Sequence, residues 1–317
     1  MRHEGFWLTA PDHTDLHINR WCGASAPKAV VMIAHGMAEH SLRYARFAES
    51  LTSQGFEVYA IDQRGHGASA ERGVLGHYAD SDGWDKVVGD LALLNHHIRT
   101  THPKAPIFLF AHSMGSYIAQ AYLMQHSCSL QGAILSGSNF GEPLQFKAGR
   151  WIAKLEKWRL GGQGRSKLID FLSFGSFNKA FKPTRTGFDW LSREPEEVDK
   201  YVNDPLCGFI CTTQLWIDLL GGLIEISSVE ALRAIDADLP IMVIGGAKDP
   251  VSDGQRLETL AAKLREAGLK NVQLNLYPEA RHELLNETNR AEVTAEVLSW
   301  LDARLEHQRA CSPKEMA

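Results

Sequence analysis

The sequence lacks the extremes of charge and cysteine content that mark several protein classes. Its 33 Lys and Arg against 38 Asp and Glu leave a formal net charge of −5, without the basic excess that nucleic-acid backbones attract. Its five cysteines include no C-x-x-C pair, and no histidine lies close in sequence to Cys207 and Cys211 at metal-ligand spacing. We therefore expect reduced thiols, no metal site and no nucleic-acid partner.

Long hydrophobic runs are also missing. The first residues show no apolar stretch after their charges, so we expect no signal peptide. The most apolar segment, residues 208–226, is interrupted by Gln214 and Asp218, and it is more typical of an amphipathic helix than of a membrane span. Because 44% of the 317 residues are hydrophobic, we expect packed cores and a cytoplasmic protein.

What the sequence does contain is an alternation of short apolar runs and helical patterns. An antiparallel hairpin is predicted around Trp7 and residues 16–21. Six buried strands are predicted at residues 29–34, 56–61, 107–111, 131–136, 241–244 and 272–276. Helices are predicted at residues 43–54, 84–101, 114–126, 254–266 and 289–305. This order indicates an α/β fold, with a mostly parallel eight-stranded sheet flanked by helices.

The alternation stops between Phe140 and Ile235. This segment is predicted to be helical and holds 13 of the 28 aromatic residues. Because it interrupts the series of strands, we expect it to form a cap over the carboxyl edge of the sheet, where open α/β sheets bind ligands. The expected division is a core at residues 1–138 and 237–307, a cap at 139–236 and a tail at 308–317.

The charges of the expected cap are divided along its sequence. Residues 142–185 contain ten basic and three acidic side chains, whereas residues 189–236 contain three basic and ten acidic ones. A solvated face on each half is the simpler interpretation. The alternative is a basic patch that contacts anionic membranes or anionic substrates.

The strongest local motif is Ala-His-Ser-Met-Gly at residues 111–115, directly between a predicted strand and a predicted helix. A serine nucleophile needs such a sharp turn to raise its hydroxyl above the sheet, and small residues two positions before and after it allow the turn. Ala111 and Gly115 fill these positions, although the usual motif begins with glycine. Ser113 is therefore predicted to be a nucleophile, flanked by His112 and Met114.

A serine nucleophile needs a base, and the base needs a carboxylate to orient it. In enzymes built on a strand–serine–helix turn, the acid and then the histidine follow later strands. Asp249 and His282 follow the strands predicted at 241–244 and 272–276, so they are the expected acid and base. Asp253 is the alternative acid.

Such chemistry also needs two backbone N–H groups that face the developing oxyanion. Met114 lies at a helix N-terminus, where free donors and the helix dipole favour anions. In the loop after the strand at 29–34, Gly36 allows close approach of the backbone, so Met37 is the expected second donor. His35 is expected to brace this loop rather than to act as a base.

These features together resemble the α/β-hydrolase superfamily, and within it the monoacylglycerol lipase and lysophospholipase group, also called serine aminopeptidase-like. Five strings carry the resemblance, at residues 35–40, 62–69, 111–115, 249–251 and 281–287. It is weaker in the expected cap, where residues 203–206 look like a family element. The resemblance implies hydrolysis of esters of single-chain lipids beneath a mobile cap, without a cofactor. It assigns the triad to Ser113, Asp249 and His282, and the oxyanion donors to Met37 and Met114.

Three functions stay open at this point. The leading one is a serine esterase acting on monoacylglycerols or lysophospholipids. An aminopeptidase or amidase would need an acidic cap residue to hold the substrate amine, and the candidates are Glu194, Glu196, Glu197 and Asp204. A ligand-binding or signalling protein could retain the same triad. Ser113 disfavours the dehalogenases and epoxide hydrolases of this fold, because their nucleophile is an aspartate.

Overall fold

The structure, a computed structural model, describes residues 1–252 and 255–311, and for residues 307–311 only the backbone. Asp253, the alternative acid, lies outside the described residues. So do residue 254, where a helix was expected to begin, and residues 312–317 of the expected tail. Residues 308–311 of that tail continue the last helix.

Eight strands form one sheet. They are β1 (Arg2–Thr9), β2 (Asp15–Cys22), β3 (Ala29–Ala34), β4 (Phe56–Ile61), β5 (Ile107–His112), β6 (Gly132–Ser136), β7 (Ile241–Gly246) and β8 (Val272–Tyr277). Their order across the sheet is β1-β2-β4-β3-β5-β6-β7-β8. The strands β1 and β2 form an antiparallel hairpin, and β2 pairs antiparallel with β4. The five remaining pairings are parallel. The predicted α/β fold with a mostly parallel eight-stranded sheet is confirmed.

The central strands are predominantly apolar because neither of their faces is exposed to solvent. Every residue of β3, β4, β5, β6 and β7 is buried, whereas the edge strand β8 is only partly buried. A strand covered by helices on both faces loses the alternation of polar and apolar residues that a half-exposed strand shows. The predominantly apolar runs in the sequence therefore mark the middle of the sheet.

In the described part of the chain, ten α-helices follow or connect the strands. They are α1 (Ala45–Ser53), α2 (Gly83–Thr101), α3 (Met114–His126), α4 (Pro143–Leu160), α5 (Lys167–Phe174), α6 (Pro195–Asn203), α7 (Thr213–Ile226), α8 (Val229–Leu232), α9 (Gln255–Glu266) and α10 (Arg290–Cys311). One apolar core joins α2, α3 and α9 to one face of the sheet, and a second joins α1 and α10 to the other. The last helix extends beyond its expected end at residue 305.

The helices α4 to α8 all lie in the sequence between β6 and β7. Residues 139–236 are called the insert below. Within the insert, α7 begins at Thr213, and the Thr212 hydroxyl caps it by accepting the Leu215 N–H at 3.2 Å. The expectation of an amphipathic helix from residue 208 is wrong in its start and in its character. The reason is that α7 packs against α4 and against α2 and α3, so most of its residues are buried.

Close packing of α7 depends on one glycine. A Cβ atom on Gly222 would lie 2.0 Å from the ring of Trp84, so only glycine lets the two helices approach this closely. Asp218, which interrupts the apolar segment, is buried and accepts the side-chain N–H of Gln214 at 2.8 Å. Burial raises the pKa of Asp218 to about 6. None of the described helices combines the length and the apolar character needed to cross a bilayer.

Candidate active site

Ser113 occupies the sharp turn between β5 and α3. Its backbone has φ 51° and ψ −121°, a region that residues other than glycine rarely adopt. Gly115 makes the turn possible, because a Cβ atom there would lie 2.4 Å from the carbonyl oxygen of Ala34. Ala111 is fully buried and packs into the core, so its methyl group is accommodated at the position where the usual motif has glycine.

The two residues expected to activate the serine are directly hydrogen bonded. The distance between His282 Nδ1 and Asp249 Oδ2 is 2.9 Å, and Asp249 is completely buried. Asp249 also accepts hydrogen bonds from the Val251 N–H at 2.8 Å and the Ser252 hydroxyl at 2.7 Å. Since an ionised carboxylate only accepts, Nδ1 of His282 carries a proton and donates it. The other ring nitrogen, Nε2, is then free to act as a base.

Each member of this pair stabilises the charge of the other. Burial acts to lower the pKa of His282, but the charge of Asp249 and the hydrogen bond outweigh it, so the pKa is raised above 6.5. Burial acts to raise the pKa of Asp249, but His282 and the accepted hydrogen bonds hold it below its usual value. The arrangement therefore favours the imidazolium that forms when His282 takes a proton.

Ser113 and His282 line the same cavity, although no hydrogen bond joins their side chains among the described residues. In unliganded enzymes such bonds are often long and tighten only when substrate is bound. The His282 ring is held by two neighbouring rings, with centroid distances of 4.6 Å to His112 and 5.2 Å to Trp190. Gly137, with φ 56°, leaves space for it, because a Cβ there would lie 3.0 Å from His282 Cε1.

The loop after β3 passes directly over the serine. A Cβ atom on Gly36 would lie 3.2 Å from the Cβ of Ser113, so glycine is needed for this approach. The next residue, Met37, lines the cavity together with Met114. For neither amide N–H is a protein acceptor present in the described part of the chain. Both donors are therefore free to bind an oxyanion.

His35 and His112 are buried, and both are expected to be neutral. His35 Nδ1 lies 2.7 Å from the Gly36 carbonyl, and its Nε2 accepts the Gln63 N–H at 3.0 Å, so both ring nitrogens are occupied within the loop. Burial lowers the pKa of His35. For His112, burial and the nearby His282 lower the pKa to about 4. The two contacts of His35 suit a residue that braces the loop, which is the role expected for it.

The sequence reasoning missed the residue that holds the loop in place. Glu39 accepts hydrogen bonds from the Gly36 N–H at 2.6 Å, the Tyr44 hydroxyl at 2.9 Å and Arg43 Nη1 at 2.6 Å. Arg43 also makes a bidentate pair with Glu283, both contacts at 2.6 Å. Burial opposes the ionisation of Glu39, but Arg43 lowers its pKa to about 2. The sequence did contain a signal for these contacts, because Glu39 and Arg43 follow Met37 closely and Glu283 directly follows His282.

A second set of contacts fastens the insert to this loop. Tyr201 in α6 donates its hydroxyl to the Ala38 carbonyl at 3.0 Å, and the Gly208 N–H donates to the same oxygen at 2.9 Å. The guanidinium of Arg43 lies 4.9 Å from the centre of the Tyr201 ring. The loop after β3 is therefore held by Glu39 and Arg43 on one side and by the insert on the other.

The four acids that were candidates for holding a substrate amine in an amidase do not line the cavity. Glu194 pairs with Arg290 at 3.1 Å, Glu197 with Arg46 at 2.9 Å, and Asp204 with His40 at 2.9 Å. Neither these three nor Glu196 lines the cavity. Three of these candidates pair instead with basic residues outside the insert, so the lining of the cavity does not favour them as amine-binding groups. The acid of the insert that does line the cavity is Asp170.

One group of side chains has metal-ligating chemistry. Ligand atoms of His40, Asp204 and Cys207 lie within 4.8 Å of one another, and no other such group occurs in residues 1–252 and 255–311. Sequence spacing did not indicate it, since His40 is distant in the chain. Burial raises the pKa of the Cys207 thiol, so the cluster is better described as a hydrogen-bonded His40–Asp204 pair beside a thiol.

The cavity above Ser113 has a volume of about 340 Å³. The part of the chain outside the insert contributes Ser113, His282 and residues 36–39 of the loop after β3 to its lining. The insert contributes mostly aromatic side chains, from Phe174, Phe177, Phe188, Trp190, Phe209 and Trp216. An apolar cavity with a few convergent polar groups is typical of a small-molecule site.

A serine on a strand-to-helix turn, a buried His–Asp pair after the later strands and a helical insert over the site define an α/β-hydrolase. Within this class the chain belongs to the serine aminopeptidase S33 family, whose model matches residues 25–289. The resemblance inferred from the sequence is therefore confirmed.

Relatives and solved structures are similar over almost the whole chain. The monoacylglycerol lipase of Mycolicibacterium smegmatis is 28% identical over 290 residues, which are 90% of this chain and 92% of the relative. The monoglyceride lipase of Rattus norvegicus is 28% identical over 311 residues, covering 96% of this chain and 90% of the relative. A thermostable carboxyl esterase from Bacillus coagulans, solved with glycerol, superposes with a TM-score of 0.89 at 26% identity, covering 96% of this chain and 99% of the esterase.

Proposed function

We propose that the chain is a serine esterase that hydrolyses monoacyl lipids through an acyl-enzyme. Hydrolysis of carboxylic esters is the activity common to its lipase and esterase relatives. The finer proposal rests on one observation: Ser113 and the buried Asp249–His282 pair line a largely aromatic cavity of about 340 Å³. We also propose that residues 139–236 act as a cap on a core formed by residues 1–138 and 237–307.

The proposed reaction uses the residues around Ser113 in order. Nε2 of His282 takes the proton of Ser113 as Oγ attacks the ester carbonyl, and the Met37 and Met114 N–H groups bind the oxyanion. His282 then gives its proton to the departing alcohol, which leaves an acyl-serine. A water molecule, deprotonated by His282, attacks this ester and releases the fatty acid. The steps need no cofactor.

The aromatic lining supports a long acyl chain as the substrate group. Each CH₂ moved from water into an apolar site contributes about 0.8 kcal/mol. A cavity lined by rings from the insert and by Leu219 and Leu223 suits such a chain better than a peptide, whose amides need hydrogen-bond partners. Packing within the insert uses these rings as well, for example Phe174 against Trp216 at 5.8 Å.

Replacing the nucleophile tests this function. Ser113→Ala should reduce hydrolysis of a monoacylglycerol by about 10⁶-fold, while the exposed Ser53→Ala should leave it unchanged. A fluorophosphonate probe should label the native chain and Ser53→Ala but not Ser113→Ala. Undiminished turnover by Ser113→Ala would refute the assignment. Aminoacyl anilides cleaved faster than p-nitrophenyl esters would favour the amidase instead.

We also propose that the insert contacts anionic lipid surfaces. Large exposed apolar side chains are concentrated on α4 and α5, at Leu144, Trp151, Leu155, Trp158, Leu168, Phe171 and Leu172. The same two helices carry basic residues, at Lys147, Arg150, Lys154, Lys157, Arg159 and Lys167. Apolar side chains with Lys and Arg around them are typical of helices that lie on a membrane interface. Together these residues are called the α4–α5 surface.

A further inference from the structure

Acidic side chains outnumber lysine and arginine side chains in the lining of the cavity. Its lining includes three acidic residues, Glu39, Asp170 and Glu283, but no Lys or Arg among the residues that the structure describes. Glu39 and Glu283 are both paired with Arg43, which lies behind the cavity wall. Asp170 is different, because its carboxylate forms no hydrogen bond or ion pair within residues 1–252 and 255–311.

The orientation of α5 makes this carboxylate unusual. Asp170 and Ser173, three residues apart and so on one side of the helix, both line the cavity. The side chains of Leu168, Phe171 and Leu172 are exposed instead. A surface helix normally buries its apolar residues and exposes its polar ones. The helix α5 follows this rule at Ile169 and Lys167 but departs from it at Asp170 and Ser173, which face the cavity. Asp170 and Ser173 form a polar spot in an otherwise aromatic wall.

A half-buried carboxylate without a partner is costly to keep away from water. A ligand that enters the cavity must therefore bring hydrogen-bond donors to Asp170 or leave it unsatisfied. Hydroxyl groups of a neutral alcohol supply such donors. A phosphate brings only acceptors and negative charge, and no cationic side chain in the described lining compensates for it.

We propose that Asp170 selects the head group of the substrate, by accepting hydrogen bonds from the hydroxyls of a neutral glycerol monoester and by excluding monoesters that carry a phosphate. The selection rests on the proposed esterase function and narrows it to monoacylglycerols over lysophosphatidates. It acts at the cavity, whereas the α4–α5 surface lies outside it and carries the opposite charge. Recognition by a paired donor and repulsion of the wrong ligand both contribute to such specificity.

Two substrates that differ only in the phosphate test this selection. We would measure kcat/KM for octanoylglycerol and octanoyl lysophosphatidate as monomers below micelle formation, so that the α4–α5 surface is not involved. The variants are Asp170→Asn and, as a matched control, Glu225→Gln, an exposed acid of α7 that does not line the cavity. The reference substrate is p-nitrophenyl butyrate, which has neither hydroxyl nor phosphate.

The native chain should prefer octanoylglycerol, and Asp170→Asn should reduce the ratio of the two kcat/KM values by at least about tenfold. The ratio for Glu225→Gln and the rates with p-nitrophenyl butyrate should stay unchanged. An equal ratio in the native chain and Asp170→Asn, or an equal loss in Glu225→Gln, would overturn the role of Asp170. If the native chain hydrolyses none of the three esters, the esterase function itself fails, which is a distinct result.

Discussion

The two sides of the cavity differ in how their charged groups are held. On the core side, Asp249 and His282 are buried and hydrogen bonded at 2.9 Å. On the insert side, the carboxylate of Asp170 has no partner in the described part of the chain, and Trp158 on the outer surface is 87% exposed. A fixed core suits chemistry that depends on geometry within fractions of an ångström. Unpaired groups on the insert suit contacts that a substrate or a lipid surface completes.

The comparison predicts the largest effect for a change in the core. Asp249→Asn should lower kcat by about 10⁴-fold, because an amide can donate to Nδ1 and so stabilise the wrong tautomer of His282. Steady-state kinetics with a monoacylglycerol measure this effect. Asp302→Asn, which loses a surface ion pair with Lys28, is the control and should retain full activity. A loss below tenfold for Asp249→Asn would mean that another acid orients His282.

A smaller effect is expected for Glu39, which acts through the position of the loop. Glu39→Ala should lower kcat by at most the roughly 10²–10³-fold that a lost oxyanion donor costs, with little change in KM. Glu39→Gln keeps an oxygen that can accept the Gly36 N–H, so it should recover part of the loss. Measuring kcat and KM separately distinguishes positioning from substrate binding. A raised KM with an unchanged kcat would contradict this role.

The pH dependence of kcat/KM distinguishes the core side of the cavity from the insert side. His282 must be neutral to act as a base, and its pKa is raised above 6.5 by Asp249 against the effect of burial. The acid limb of kcat/KM should therefore have its midpoint above 6.5, with activity lost as the pH falls through it. Asp170→Asn should leave this midpoint unchanged for p-nitrophenyl butyrate, because the charges that raise the pKa of His282 are those of Asp249, Glu283 and Glu39. A midpoint that moves in that variant would show that the two sides are electrostatically coupled.

The core was more predictable from the sequence than the insert, for a physical reason. The runs 29–34 and 56–61 coincide with β3 and β4, and residues 114–126 with α3. Strands buried on both faces are predominantly apolar, and a sharp turn needs small residues, so each leaves a local pattern. In the insert, by contrast, an amphipathic helix was expected at 208–226, and the helix found there, α7, is mostly buried between its neighbours.

The parts of the site that were missed depend on contacts between distant residues. Arg43 and Glu283 are 240 residues apart in the sequence, and no periodicity connects them. Asp170 lies in the basic half of the insert, where its charge was outnumbered, and only the orientation of α5 directs it to the cavity. The acids proposed for amine binding were chosen by composition. A side chain's direction depends on tertiary packing, which composition does not encode.

The smallest predicted effect concerns the outer face of the insert. Trp158→Ser should weaken binding to vesicles of phosphatidylcholine and phosphatidylserine several-fold, because an exposed ring at a lipid interface contributes part of the buried apolar area. Leu42→Ser changes an exposed apolar residue outside the insert. It is the matched control and should bind like the native chain. Co-sedimentation at low and high salt measures both, and binding should weaken as salt screens the basic residues. Equal losses in the two variants would show that the contact is nonspecific. Binding that is absent at low salt would leave the insert with one task only, to line the cavity.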